Sequence, residues 1–291
     1  MGIIIVILAS VLFGIFPSIQ KNVLASGVTP ISLVIICNGT ACMLSLIISL
    51  LQGKSLKVTR RQLVSLMLIG IIGLFTTDFL LDIAYTMIPV GYVTMVHFLY
   101  PAIVCGAMAV IFKERLTKGK ILSIIFSVLG LVLLAGGGFS GSFIGIVVAA
   151  ITAISYTFYM ISTEKTEAGD VDPMVRVFYT NIFVTIAAAI ISIRMKVVLP
   201  QVPLYWGESL LIGLMLFSAI FLLNLGVKKI GAGKASFINM LEPITSMVVS
   251  ILIYHYSIKP LALVGSFLII LSLFFAAKGD RKHKAYQVKI T

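Results

Sequence analysis

His97-Phe-Leu-Tyr100-Pro101-Ala-Ile-Val-Cys105-Gly-Ala-Met-Ala-Val-Ile-Phe-Lys113-Glu114-Arg115-Leu116 is an apolar run with a histidine, a tyrosine and a proline set into it, closed abruptly by charge. In a soluble protein it would read as one buried helix. Here it is one of about ten such runs in a chain of 291 residues that is 60% hydrophobic and 11% charged, with a mean hydropathy of +1.15. That composition lies far beyond a soluble domain, so the solvent is lipid. The proline then marks a helix break at membrane depth, because it lacks the N–H its turn requires.

Working outward, the runs predict spans at about 3–24, 30–51, 62–86, 90–112, 119–136, 143–163, 173–194, 206–227, 231–254 and 260–277, most near the ~20 residues a helix needs to cross hydrocarbon. The connections are short and carry the usual breakers, among them Gly27, Gly53, Pro89, the glycines at 136–138, Pro173 and Pro203. They leave no room for a soluble domain. Alternating the spans puts Lys21, Arg194, Lys196 and Lys259 on one side and the remainder of the 22 Lys and Arg residues on the other. Positive charge marks the cytoplasmic face, so both termini are expected there, in a multi-pass protein of the cell membrane. The net charge of +12 therefore reports topology rather than affinity for nucleic acid. The N-terminal run lacks a basic leader and a cleavage site, which predicts a retained first span. Cys37, Cys42 and Cys105 lie inside apolar runs and predict packing residues, not disulfides or metal ligands.

The opening stretch returns in altered form. Laying Tyr100-Pro101 over Glu242-Pro243 brings Gly91 onto Gly233, His97 onto Asn239, Leu99 onto Leu241 and Asp82 onto Asn224. Near the starts of the halves, Ala9 and Lys21 fall opposite Ala153 and Lys165. Five spans per half is an odd number, which forces the second copy to insert upside down. The expected fold is thus an all-α membrane protein of ten transmembrane helices in two inverted five-helix repeats, residues 1–140 and 141–291, the second ending in a basic tail. Such repeats are the architecture of secondary transporters that bind substrate where paired helices are interrupted.

Tyr100 to Thr117, followed by Ser127-Val-Leu-Gly130-Leu-Val-Leu-Leu, resembles the fourth and fifth spans of EamA-type transporters of the drug/metabolite transporter superfamily. Leu241-Glu242-Pro243 is similar to the counterpart in the ninth span, and Phe13-Gly14 more loosely to a Trp-Gly of the first. The resemblance covers the whole chain and implies a carrier of small metabolites, often an exporter of amino acids or related compounds, with a central cavity between the halves. One departure is that the second half has His255-Tyr-Ser-Ile where the Glu-Arg-Leu close would recur.

Candidate site residues follow from polarity at depth. Tyr100 and Glu242 precede the two prolines about a dozen residues into their spans. A carboxylate there costs roughly 2.5–3.5 kcal/mol if ionised, so Glu242 must face a wet cavity, find a partner or carry a proton. The bland alternative is a neutral acid bonded to a neighbouring helix. His97 and Asn239 sit one turn earlier on the same faces, either lining the cavity or joining helices. Asp78 and Asp82 share one face of the third span; Asp82 reads as solvated at the outer interface, and Asp78 as deeper. Asn38, Asn181 and Asn224 read as interhelical hydrogen-bonding groups. Tyr156 and Tyr159 read as cavity wall or packing. Pro101 and Pro243 are candidate hinges.

No cofactor or metal is expected, since no Asp-rich phosphate–metal motif or His-rich constellation is present. The expected partners are lipid, a small-molecule substrate and a coupling proton. A polytopic intramembrane enzyme and a passive small-solute channel are the alternatives.

Overall fold

The computed structural model describes residues 1–88, 90–114, 116–134, 142–254, 260–261, 263–272 and 275. Pro89, Arg115, the glycines at 136–138, the 255–258 segment, Lys259 and the basic tail lie outside these. The described chain is helical: α1 (Gly2–Ala25), α2 (Pro30–Leu51), α3 (Arg60–Leu68), α4 (Thr76–Met87), α5 (Val90–His97), α6 (Tyr100–Val110), α7 (Lys118–Leu134), α8 (Phe143–Lys165), α9 (Pro173–Ser192), α10 (Pro203–Ile230), α11 (Ala232–Asn239), α12 (Leu241–Tyr254) and α13 (Leu263–Ser272). Among the described residues, six helices are long and apolar enough to cross a membrane: α1, α2, the continuous Arg60–Met87 helix, α8, α9 and α10. Large apolar side chains on the outer faces, such as Val110, Ile190 and Leu252, are exposed. In water they would drive aggregation; in hydrocarbon they cost nothing.

Local chemistry sets the helix ends. Thr59 and Gln62 form a reciprocal capping box at the start of α3. Asp172 accepts from the Met174 N–H at 2.8 Å ahead of Pro173, which opens α9 where its missing N–H is harmless. Gly231, at φ +82°, allows the sharp reversal between α10 and α11.

Two interruptions shape the interior. α3 and α4 are joined by a π-helical turn, Ile69–Phe75, an extra residue wound into an otherwise continuous rod. Its glycines let neighbouring backbones come close: a Cβ on Gly70 would lie 2.7 Å from the Thr180 carbonyl oxygen, and one on Gly73 would lie 2.9 Å from the Tyr159 Cβ. Small residues serve this purpose where helices pack in lipid. The second interruption occurs twice. α5 ends at His97 and α6 begins at Tyr100, while α11 ends at Asn239 and α12 begins at Leu241. Pro101 and Pro243 cannot donate to the carbonyls of His97 and Asn239, four residues back, so each helix is released one turn before its proline.

The helices interlock across the sequence. α1 packs against α10, α11 and α12, all from the later part of the chain, whereas α8 packs against the π turn, α4, α5 and α6 from the earlier part. α2 lies against α9 and α10, and α6 against α11. α7 meets α13 through the Ser123 hydroxyl, which donates to the Ser272 carbonyl at 2.8 Å, and through Gly130, whose Cβ position lies 2.8 Å from the Gly265 carbonyl oxygen.

Ion pairs gather at one end of the bundle. Lys165 bridges Glu114 at 3.1 Å and Glu164 at 2.9 Å, Lys120 reaches Glu114 at 3.7 Å, and Lys54 pairs with Asp172 at 2.8 Å. The Glu164 carboxylate also accepts the Ala232 N–H at the start of α11. Two of these pairs join segments far apart in the sequence. At the same end Arg176 is wholly buried, donating to the carbonyls of Thr163, Gly169 and Val171. It is a tie for the α8–α9 connection rather than a solvated charge.

Candidate functional site

A cavity of about 80 Å³ opens among α1, α2, α4, α5, α8, α10 and α12. A water needs roughly 10–15 Å³ of such space, so it has room for several waters or one small solute. Its floor is at the two helix breaks, where His97, Tyr156 and Glu242 line it. Its walls rise away from the ion-paired end along the second half of α1, the first half of α2 and α4 from Thr77 to Tyr85.

The polar floor is built as a relay of side chains. The Asn239 amide donates one N–H to the Tyr100 hydroxyl at 3.1 Å and the other to Glu242 Oε2 at 3.3 Å. Its carbonyl oxygen accepts from the Ser10 hydroxyl of α1 at 3.1 Å. The Tyr100 hydroxyl in turn donates to the Ser236 carbonyl at 3.4 Å. Four hydrogen bonds thereby engage one asparagine and one tyrosine, leaving Glu242 as the member that reaches the cavity. On the other side of the floor, His97 Nδ1 meets the Thr152 hydroxyl at 2.9 Å, and its ring packs 5.3 Å from Tyr156. Tyr100 meets Tyr156 edge to face at 4.6 Å, a favoured aromatic geometry.

The wall carries a second polar group. Gln20 donates to Asp82 Oδ1 at 2.6 Å, and the Asn38 amide donates to Asp78 Oδ2 at 3.3 Å and to the Val34 carbonyl at 3.1 Å. Asp78 and Asp82, one helical turn apart, thus face the same space. Phe13, Phe16 and Tyr85 supply the apolar part of the wall.

Of the residues singled out from sequence, Glu242, His97, Asp78 and Tyr156 line the cavity, whereas Tyr100 and Asn239 are fully buried behind it and position Glu242. Pro101 and Pro243 stand at the breaks. Asp82 differs from expectation: far from being solvated at an interface, it is 0% exposed and belongs to the wall. Gln20 drew no attention in the sequence, and Asn38 read as a helix-joining group; both are bonded to the wall carboxylates. Asn224 does join helices, accepting from the Tyr159 hydroxyl at 3.1 Å. Among the described residues, no group of three His, Cys, Asp or Glu side chains is placed to hold a metal ion.

A family model, that of the EamA-like transporter family, matches residues 1–136 and 143–277. The uncharacterized transporter YyaM of Bacillus subtilis is 26% identical over 251 residues, covering 81% of this chain and 80% of the relative. An uncharacterized transporter of Clostridium kluyveri is 22% identical over 269 residues, covering 87% and 84%. A crystal structure of another protein superposes with a TM-score of 0.83 at 18% identity, over 96% of this chain and 98% of that one, a likeness of fold.

Proposed function

Because the chain belongs to the EamA-like transporter family, and so is a multi-pass membrane transporter, we propose that it is a secondary carrier working by alternating access, with Glu242 at the centre of the site. The observation that carries this reading is the position of the cavity, with its floor at two helices broken at corresponding places: Ala232 and Asn239 bound α11 at 142 positions after Val90 and His97, which bound α5. Broken helices paired about a polar midplane site are how repeat-built carriers present substrate to one side at a time.

The reading extends to ten spans in two inverted repeats, divided near residue 140. The packing supports it. Exchanging α1 with α8, α2 with α9, the α3–α4 rod with α10, the α5–α6 pair with α11–α12, and α7 with α13 leaves the set of principal contacts unchanged. The bodies that move are then not the sequence halves. One is α1 and α2 with α10, α11 and α12; the other is α8 and α9 with the α3–α4 rod, α5 and α6. The ion-paired end is the cytoplasmic one, since it collects the basic residues. The cavity rises away from that end, whose helix tips are tied by salt bridges, which supports reading this as an outward-facing state. The cargo class that follows from the family resemblance is a small metabolite such as an amino acid or a related compound, moved outward in exchange for a coupling proton carried on Glu242.

Purified protein in liposomes tests this. Saturable flux of a small metabolite that follows an imposed proton gradient is the expected result. Flux that rises linearly with concentration makes it a channel, and conversion of a lipid or solute to product makes it an enzyme.

A further inference from the structure

The wall and floor of the cavity are lopsided in two independent respects. Asp78, Asp82 and Glu242 bring three carboxyl groups to it, and among the described residues no lysine or arginine lines it. Among the lining side chains, the fully buried polar atoms left without a partner are also of one kind. Asp82 Oδ2 and Asn38 Oδ1 are buried and have no hydrogen-bond partner, on side chains 0% and 1% exposed. Both are acceptors. An unfilled buried acceptor costs roughly 1–3 kcal/mol, so two beside one cavity mark a place for a donor. An ammonium group carries three N–H donors and the counter-charge that lets a carboxyl group be ionised at this depth. Phe13, Phe16, Tyr85 and Tyr156 supply aromatic rings for the carbon body and for the charge.

Resting on the carrier reading above, we infer that the cavity selects a small primary ammonium ion with an apolar body, held by Asp82, Asn38 and Asp78 and by the aromatic wall, and rejects substrates that carry a carboxylate. A zwitterionic amino acid satisfies the acceptors but brings its carboxylate into a space that has no cation to meet it, where repulsion from the three acids adds to the cost of desolvation. Within the small-metabolite class of that reading, this narrows the cargo from amino acids to related amines, the class of product that decarboxylation of an amino acid supplies.

Three probes with one ring and different charges decide it: phenethylamine, phenylalanine and 3-phenylpropionate. Binding is read as a rise in melting temperature of the detergent-solubilised protein, and transport as saturable flux in liposomes. The expected result is stabilisation and saturable flux with the amine alone, and at least a tenfold rise in the half-saturating amine concentration for Asp82→Asn and, separately, Asp78→Asn. Wild-type discrimination among the probes carries the conclusion even where a variant fails to fold. Amine binding without flux sinks the carrier reading and spares the amine assignment. Flux of phenylalanine or phenylpropionate without amine binding does the reverse. Stabilisation by sodium alone, equal to that by the amine, makes the acceptors an inorganic cation site and overturns the assignment; no effect of any probe overturns both.

Discussion

Glu242 is held by one hydrogen bond from Asn239 and otherwise faces the cavity, which is the arrangement of a group that changes partners. Glu242→Gln preserves shape and hydrogen-bonding capacity while removing titration. The variant is expected to insert and fold, with a melting temperature near wild type, and to lose pH-dependent transport. Equal flux with an unchanged pH profile would reduce Glu242 to a structural hydrogen-bonding residue. Asp172 offers a separate test outside the bundle. Partial burial alone would raise its carboxyl, but the Lys54 ammonium and the backbone N–H groups of Met174 and Val175 outweigh this and hold it below the usual carboxylate range. A depressed folded value means the stabilisation is present above the unfolded value and is lost as pH falls through the folded one. The gap in melting temperature between wild type and Asp172→Asn is therefore full at neutral pH and closes in acid. The corresponding free-energy difference is small, below ~1 kcal/mol, because both side chains of the pair are partly solvent-exposed. Asn keeps the helix cap, so the comparison isolates charge. At this scale the sequence singled out Glu242, His97 and Asp78, which line the cavity, because each is an ionisable residue in an apolar run. It concealed Gln20, Asn38 and Asp82 as a group, since three helices must be placed side by side before their bonds exist.

At the scale of the element, the prolines announce two breaks, and the structure has them. Pro101→Ala and Pro243→Ala restore a donor to the carbonyls of His97 and Asn239, which straightens the helix through the floor of the site. Each is expected to cut the transport rate at least tenfold, with folded yield by size-exclusion chromatography changing far less. Rates equal to wild type in both would make the breaks incidental to transport. Span limits were readable to within a residue or two for α1, α2 and the Arg60–Met87 helix, because apolar runs stop where charge or a capping residue begins. The π turn was not readable. Ile69-Gly-Ile-Ile-Gly-Leu-Phe75 contains no proline, and its winding follows from how closely Gly70 and Gly73 approach α9 and α8, a tertiary cause with no local signature.

For the whole molecule, orientation is the quantity on which the outward-facing reading depends. A single cysteine in place of Lys118 is expected to resist impermeant maleimide applied to intact cells, and one in place of Gln201 to react; reversed labelling would invert the molecule and make the closed end external. Composition made the membrane legible, but nothing in the linear pattern disclosed that α1 rests on α10, α11 and α12 while α8 rests on α4, α5 and α6. This interlock has a consequence for biogenesis. A chain whose first helix leans on partners not yet translated leaves that helix waiting in the bilayer until α10 to α12 emerge. Fragments 1–140 and 141–291 then resemble two subunits that have traded arms: made separately, each is expected to be degraded, whereas made together in one cell they should associate and recover flux. Stable, protease-resistant accumulation of either fragment alone would show that the trade is dispensable.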